Sequence, residues 1–191
     1  MERMFQKWNN PTFTLLLSLS EEPCHLRDLS RKTGIPPATA KRLLDTLVSA
    51  GILDAKREGL NRKFFIKNTL SAKAALLLSE HYKSILLLEK YPLLLRPIEQ
   101  TLSMCGKVPL VVLFGSYADF SAKEDSDIDI YIESGDSAIK NAIEATDSRL
   151  SVKIGKFEPS DALIKEIIKK HVILKGAERF YERSGLLEEA R

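Results

Sequence analysis

The sequence has few cysteines and no long apolar run, and both absences narrow the class of protein. Its 191 residues include only two cysteines, Cys24 and Cys105, which lie far apart and indicate no disulfide framework. No Cys/His cluster has the spacing of a zinc site. The apolar runs are far too short to span a bilayer, and the N-terminus carries no signal-peptide pattern. We therefore expect a protein of the reducing cytoplasm that does not enter membranes.

Internal repeats and low-complexity segments are also absent, whereas the charge is distributed unevenly. Residues 1–70 contain 12 Lys and Arg against 7 Asp and Glu, a net charge of +5. Residues 71–191 contain 17 against 19, a net charge of −2, and the whole chain carries +3. A basic first part of this kind suggests a surface that faces nucleic acid. The length allows one large domain or two small ones.

The most informative stretch begins with an apolar run rich in β-branched residues, 109–114, which predicts a buried strand. The run ends in Gly115 and Ser116. Glycine permits a tight turn and a close approach of the backbone to a ligand. Backbone N–H groups in such a turn can cradle a phosphate. This stretch therefore predicts a phosphate-binding turn at the end of a strand.

A second strand is predicted over 127–132, after a polar loop. Alternation along this strand would place Asp127 and Asp129 on one face and the isoleucines on the other. Two carboxylates on one face repel each other unless a positive charge lies between them. Mg²⁺ is the natural candidate, because it takes oxygen ligands and bridges substrate phosphates.

Together these features resemble the signature of the DNA polymerase β-like nucleotidyltransferase superfamily. The family pattern is Gly-Ser, a loop, and then Asp-x-Asp on the next strand, often preceded by Ser. Here it reads Gly115-Ser116, then Ser126-Asp127-Ile128-Asp129, with the loop length of the minimal members. The resemblance implies a small mixed sheet flanked by helices, with Asp127 and Asp129 as catalytic, Mg²⁺-binding residues. It also implies contacts from Gly115, Ser116 and Ser126 to an NTP.

The third carboxylate of the family has no counterpart in this chain. The resemblance places it on a neighbouring strand, here predicted over 150–157. Alternation points Ser151, Lys153 and Gly155 to the site, and none of them is acidic. We hypothesise that Lys153 reaches toward the aspartates and takes over part of the metal's electrostatic role. The nearest acids, which fall in turns beyond the strand and are the alternative source of a third carboxylate, are Asp147, Glu158 and Asp161.

The loop after Gly-Ser departs from the family as well. Small members carry Ala-Arg-Gly two residues after the Gly-Ser, whereas this chain has Ala118-Asp119-Phe120. Loss of the arginine and the glycine weakens the expected phosphate binding. The family's fold is therefore predicted more strongly than its catalytic turnover.

Residues 10–70 predict three helices, 13–19, 25–33 and 37–50, and then a hairpin, 52–58 and 62–67. This order, with Ser-Ala-Gly-Ile-Leu at 49–53, resembles the winged helix-turn-helix domain of bacterial and archaeal repressors. The resemblance implies double-stranded DNA as the partner, with the third helix in the major groove. The bland alternative is a solvated basic face on a dimerisation module. The expected DNA-binding residues are Thr39, Lys41 and Arg42 on the helix and Lys56, Arg57, Arg62 and Lys63 on the wing.

A long helix is predicted over Leu70–Lys90, with an apolar face too wide for one small domain to cover. The face includes Leu70, Leu78 and His81, and we read the histidine as a core or interface residue. We therefore expect a homodimer through this helix. Further elements are predicted as helices at 93–105, 137–145, 161–170 and 178–190, with a short edge strand at 171–176.

The sequence as a whole predicts an α+β protein with an N-terminal winged helix-turn-helix and a C-terminal nucleotidyltransferase-fold mixed sheet flanked by helices. The expected domains are 1–70 and 93–191, joined by a linking or dimerisation helix, 71–92. The favoured function is a DNA-binding transcriptional regulator whose second domain binds a nucleotide or Mg²⁺, or serves dimerisation. A working Mg²⁺-dependent nucleotidyltransferase and an antitoxin-like partner protein are the alternatives.

Overall fold

The computed structural model describes residues 10–185. Residues 10–82 form one compact unit and residues 83–184 a second, and the division falls within a long helix. Each unit has its own sheet, one of three strands and one of four, accompanied by helices. Within the described residues, no helix is long and apolar enough to cross a membrane. The chain is therefore the α+β protein that the sequence predicts.

The N-terminal unit contains three helices and a small antiparallel sheet. Asn10 caps the first helix by accepting a hydrogen bond from the Thr12 N–H at 3.0 Å. Gly34 ends the second helix in the left-handed conformation, φ 70°. The core is formed by Leu15, Leu29, Leu44, Leu53 and Phe64, among others. The elements are α1 (Pro11–Glu21), β1 (Cys24–His25), α2 (Leu26–Thr33), α3 (Pro37–Ser49), β2 (Leu53–Glu58) and β3 (Asn61–Ile66).

The strand β1 is the element of this unit that the sequence does not predict. It pairs with β3 in the register Cys24 to Phe64 and His25 to Lys63, which gives the sheet order β1-β3-β2. The sequence shows only a break between two helices at this point. A two-residue strand exists through its distant partner, so no local pattern predicts it. The predicted hairpin is confirmed, with Gly59 and Leu60 as its two-residue turn.

The helix α4 (Leu70–Lys90) has the predicted bounds. Its fully buried residues are not those of the apolar face that the sequence analysis assigned to the dimer interface. Its buried side chains include Ala72, Leu76 and Leu87. His81 is exposed, which excludes the core role expected for it and leaves the interface role as a prediction. Leu70 and Leu78 are 85% and 57% exposed. Two members of the predicted apolar face, Leu70 and Leu78, therefore stay accessible to solvent in the single chain, whereas Leu88 packs against the core of the C-terminal unit.

The C-terminal unit is built on a mixed sheet with the order β6-β5-β4-β7. β5 runs parallel to β6 and antiparallel to β4, and β7 is the edge strand that the sequence predicts. A 3₁₀ turn, Pro92–Leu94, precedes its first helix. The elements are α5 (Leu95–Met104), β4 (Val111–Leu113), α6 (Gly115–Ala118), β5 (Ile128–Glu133), α7 (Ser137–Glu144), β6 (Leu150–Gly155), α8 (Ala162–Lys169), β7 (Val172–Lys175) and α9 (Ala177–Ser184).

Alternation along β5 separates the two faces of this sheet. Ile128, Ile130 and Ile132 enter a core that also holds residues of α5 and α7. On the opposite face, the Tyr131 ring lies 6.0 Å from that of Phe157 in an edge-to-face contact. Asp129 belongs to this second face, because it is two residues from Tyr131.

Several boundaries differ from the prediction, and one affects the site. β5 begins at Ile128, so Asp127 precedes the strand instead of lying on it. Residues 123–126 form a turn closed by hydrogen bonds between Lys123 and Ser126, so the strand begins only after it. Residues 115–118 form a helical turn in place of the expected loop, and β6 ends at Gly155 instead of Phe157. The part of the predicted terminal helix after 185 lies outside the described residues.

Candidate functional site

Gly115 lies directly against Asp129. The chain turns at Gly115 with φ +70°, and the Phe114 N–H donates a hydrogen bond to the Asp129 carbonyl at 3.0 Å. A Cβ atom added at position 115 would lie 2.5 Å from Asp129 Oδ2. A side chain therefore cannot fit without displacing the carboxylate, and glycine also adopts the left-handed backbone without strain. The fold brings the Gly-Ser turn and the Asp-x-Asp segment into contact.

Asp129 is half-buried, and the groups around it act in opposite directions on its pKa. Burial raises the pKa of this carboxyl most, and the carboxylates of Asp127 and Glu166 raise it further. A hydrogen bond from the Ser151 hydroxyl and the charge of Lys153 lower it. Ser151 is the register partner of Asp129 on the neighbouring strand. The site is thus a partly desolvated group of carboxylates with one nearby lysine.

Lys153 lies where the alternation of β6 predicts it. Leu150 and Val152 are buried, whereas Lys153 is exposed and stands opposite Tyr131 in the register of β5 and β6. It is therefore one strand position beyond Ser151 on the face of Asp129. Its positive charge lowers the pKa of Asp129.

Glu166 is the acid near Asp129 that sequence reasoning missed. It is an exposed residue of α8, and in the sequence it looks like any acid on the solvated side of a helix. Only the packing of α8 beside the sheet reveals its effect on Asp129.

The acids that the sequence offered as substitutes for the third carboxylate have other roles. Asp147 binds the Arg149 guanidinium at 2.7 and 3.1 Å. Asp161 caps α8 by accepting the Leu163 N–H at 2.7 Å. Glu158 lies 3.4 Å from the guanidinium of Arg183.

The acids near Gly115 fit only part of the Mg²⁺ site that the polymerase β-like resemblance implies. Asp127 and Asp129 provide carboxylate oxygens, the ligands that Mg²⁺ prefers. Among residues 10–185, no group of three or more Asp, Glu, His or Cys side chains is placed to hold a metal ion. Two carboxylates fit one Mg²⁺ that keeps water and phosphate ligands, whereas a two-metal site requires further carboxylate oxygens.

The loop that follows Gly115-Ser116 is held in place at Asp119 and Phe120, the two residues that depart from the family pattern. Asp119, at the position of the family's arginine, forms a 2.9 Å ion pair with Lys170, and hydrogen bonds from Ser121 and Lys170 lower its pKa. Phe120 has φ +60° and is the one non-glycine residue with positive φ in the described part of the chain. Lys90 donates a hydrogen bond to the Phe120 carbonyl and lies 5.8 Å from the centre of its ring. The loop is therefore held by cations from α4 and from the end of α8.

Ser116 and Ser126, the predicted nucleotide contacts, both stabilise this loop. The Ser116 carbonyl accepts hydrogen bonds from the N–H groups of Ser121 and Ala122 at 2.9 and 3.0 Å. Ser126 Oγ accepts the Lys123 N–H at 2.9 Å. Both residues are half-buried.

The helix α3 presents the predicted DNA-binding residues of the N-terminal unit. Its inner side buries Ala40, Leu44 and Leu47, as the spacing predicts. Lys41 and Arg42 are exposed on the outer side, whereas Thr39 is half-buried.

The wing places like charges opposite each other. Lys56 faces Lys63, and Arg57 faces Arg62, in the register of β2 and β3. Like charges directly opposite each other destabilise a hairpin. Two of the four cations have acidic neighbours: Arg62 lies 2.9 Å from Asp45, and Lys63 lies 3.7 Å from Glu58. The hairpin nevertheless concentrates positive charge at one end of the unit.

Comparison with known families supports this division of the chain. Residues 12–56 match the model of the IclR helix-turn-helix domain, which covers α1 to α3 and most of β2. Residues 96–180 match the Polymerase beta, Nucleotidyltransferase model, which contains Gly115, Asp127 and Asp129. No match was found among curated proteins or solved structures. The chain therefore joins an IclR-type helix-turn-helix domain to a polymerase β-type nucleotidyltransferase domain.

Proposed function

We propose that this protein is a regulator that binds duplex DNA through α3 and the wing. The observation that carries the proposal is the pairing of like charges across the wing, Lys56 with Lys63 and Arg57 with Arg62. Such a hairpin is unfavourable by itself, and a polyanion compensates it. The match of residues 12–56 to a helix-turn-helix domain supports the same function.

Lys41 and Arg42 are the best candidates for contacts from α3. Both lie in the first half of the helix, which meets base edges when a recognition helix enters the major groove. Both are exposed, so the energy of DNA binding is not opposed by loss of internal packing. The ion pair of Arg62 with Asp45 links the wing to the same helix.

The test is the double variant Lys41→Ala/Arg42→Ala, measured by duplex-DNA titration at several salt concentrations. We expect weaker binding and a salt slope reduced by about 0.9 for each lost phosphate contact. The matched control is Arg96→Ala/Lys107→Ala, which removes the same charge from exposed sites of the C-terminal unit. Equal binding by both double variants at equal salt would show that α3 does not contact DNA.

For the C-terminal unit, we propose a nucleotide site that binds Mg²⁺ weakly and does not turn over. Asp127 and Asp129 would hold the metal beside the Gly115 turn, and the metal would neutralise the phosphates of an NTP. Lys153, exposed on the Asp129 face of β6, would supply part of the positive charge that the site otherwise takes from the metal.

Lys153→Asp tests this arrangement by calorimetric titration with Mg²⁺ or Mn²⁺. The variant removes a positive charge and adds a carboxylate, so we expect tighter metal binding than in the wild type. The control is Lys140→Asp on α7, which packs against the other face of the sheet. Equal affinities of wild type and Lys153→Asp would show that Lys153 does not serve the site.

Nucleotidyl transfer is the second candidate function, and the position of Glu166 favours it. This carboxylate raises the pKa of Asp129 from α8. It would have to move closer to Asp127 and Asp129 to replace the acid that β6 lacks, because the acids of residues 10–185 do not form a metal-holding group of three. Transfer would appear as incorporation of label from an NTP, abolished by Asp129→Asn and by Glu166→Gln. Absence of incorporation with any of the four NTPs would favour the regulator without turnover, whereas incorporation unaffected by Glu166→Gln would exclude the role of Glu166.

Finally, we propose a homodimer through α4, with residues 71–92 as the linking segment between domains 1–70 and 93–191. The exposure of Leu70 and Leu78 supports it, because apolar stripes of this kind mark interfaces more often than free surface. A symmetric dimer would present two recognition helices to a palindromic site. Light scattering at high micromolar concentration should give twice the chain mass of 21.5 kDa, and a monomer mass would refute the dimer.

A further inference from the structure

Leu60 is an apolar residue at the centre of a basic surface. It forms the tip of the wing with Gly59, and its side chain is 95% exposed. Leu93 is 77% exposed as well, but it lies outside the wing. Leu60 stands at the wing tip, one strand pair (Glu58 with Asn61) beyond the facing Arg57 and Arg62. Gly59 adopts φ 61°, which permits a two-residue turn and keeps the tip narrow. A single exposed leucine is ordinary on a protein surface, but one at the tip of a hairpin of paired cations is placed to meet the same partner as those cations.

A groove of about 480 Å³ lies between the wing tip and the helices. Leu60 and Asn61 line it on the wing side, and Arg27 and Lys41 line it on the helix side, together with Arg62. Asp28 also lines the groove, but its carboxylate lies 2.8 Å from Arg31. The groove therefore has basic walls on both sides and an apolar residue on one rim.

We propose that Leu60 enters the minor groove of duplex DNA as a wedge and unstacks a base step. The sugar-phosphate backbone of one DNA strand then lies in the protein groove, where Arg27, Lys41 and Arg62 contact it. The helix α3 enters the DNA major groove on the other side of that backbone. This inference rests on the proposed DNA-binding function and adds to it a deformation of the duplex. Proteins that insert apolar side chains between base steps in this way kink the DNA.

The charge of the surroundings distinguishes DNA from an apolar partner. One leucine offers too little area to dock a hydrophobic protein surface, which requires a contiguous patch. The three cations of the groove match phosphates, which carry most of the affinity for nucleic acid, and Arg62 would exchange its ion pair with Asp45 for a phosphate. A single leucine side chain at the tip also fits the minor groove, which is only about 6 Å wide and does not admit the two strands behind it.

The probe is a short duplex with repeated TpA steps, each flanked by 2-aminopurine, whose emission rises when the neighbouring base unstacks. TpA steps unstack most easily, so they report a wedge at low cost. The proteins compared are the full-length wild type, Leu60→Ala, Leu60→Met and the control Leu93→Ala. Binding is followed separately, by anisotropy of an end label at several salt concentrations.

We expect the wild type, Leu60→Met and Leu93→Ala to raise the emission, and Leu60→Ala to lose the rise. Leu60→Ala should keep the salt slope, because the slope counts phosphate contacts, whereas Arg27→Ala should lower it by about 0.9. Binding with an equal emission rise in Leu60→Ala would overturn the wedge and leave DNA binding intact. No duplex binding by the wild type would overturn the proposed function and this inference together.

Discussion

Gly115→Ala should destabilise the C-terminal unit for two separable reasons. The first is the backbone: position 115 has φ +70°, and a residue with a Cβ atom loses about 1–2 kcal/mol in that conformation. The second is crowding, because the added Cβ would lie 2.5 Å from Asp129 Oδ2, and overpacking of this kind costs about 1–3 kcal/mol. The two effects together predict a loss of about 2–5 kcal/mol in the free energy of unfolding.

A double-mutant cycle with Asp129→Ala separates the two effects. Truncation of Asp129 removes Oδ2 and Cγ, and leaves its Cβ 3.4 Å from the new methyl group, which is an ordinary contact. Gly115→Ala should then cost only the backbone part, so the coupling energy should be about 1–3 kcal/mol. Gly135→Ala is the control, since nothing lies within 4 Å of its added Cβ.

Urea denaturation followed by near-ultraviolet circular dichroism suits this measurement. Four of the five tyrosines, Tyr91, Tyr117, Tyr131 and Tyr181, lie in the C-terminal unit. Equal losses from Gly115→Ala in the two backgrounds would refute the reasoning. The glycine would then serve backbone conformation alone, and its contact with Asp129 would not restrict position 115.

Substitutions at three further positions test other features of the C-terminal unit. Hydrogen bonds from Arg149 lower the pKa of Asp147, so Asp147→Asn should cost up to about 1 kcal/mol at pH 7. Because the folded pKa lies below the unfolded value, this difference should shrink as the pH falls through that folded pKa, as urea titrations at several pH values would show. Phe120→Gly should be more stable than Phe120→Ala by about 1–2 kcal/mol, the reverse of the usual order, since only glycine relieves the strain at φ +60°; equal stability in urea would contradict this. Arg179 binds the nearly buried Glu133 with two hydrogen bonds, at 2.5 and 2.7 Å, so Arg179→Ala should lower the midpoint of thermal or urea unfolding and Arg179→Lys should recover only part of the loss.

The periodicity of apolar residues predicted those helices and strands that are determined by residues close together in the sequence. The bounds of α4 are those that the sequence indicates, and the buried Leu150 and Val152 alternate with the accessible Lys153 as expected. The Gly-Ser and Asp-x-Asp segments could be assigned to one site in advance because their spacing resembles the polymerase β-like signature. Each of these features is encoded within a few residues.

Features that depend on distant partners were not predictable in this way. β1 is defined by pairing with Phe64 and Lys63, far along the chain. The ion pair of Asp119 with Lys170 joins residues 51 positions apart. Glu166 approaches Asp129 only because α8 packs beside the sheet, and an exposed helical glutamate has no sequence signal that marks it. The start of β5 after Asp127 was missed because the preceding turn depends on side-chain hydrogen bonds.

The facing cations of the wing make this hairpin sensitive to ionic strength in its own right. Repulsion between Lys56 and Lys63, and between Arg57 and Arg62, reaches furthest in dilute buffer, where the Debye length is about 30 Å at 0.01 M salt against about 10 Å at 0.1 M. Added salt should therefore stabilise the hairpin of the free protein, because it screens this repulsion, while it weakens the binding of the protein to a polyanion. Amide exchange of β2 and β3 without DNA should slow as salt rises. Because these two trends are opposite, the salt dependence of DNA affinity reflects the stability of the wing hairpin as well as the number of counterions released.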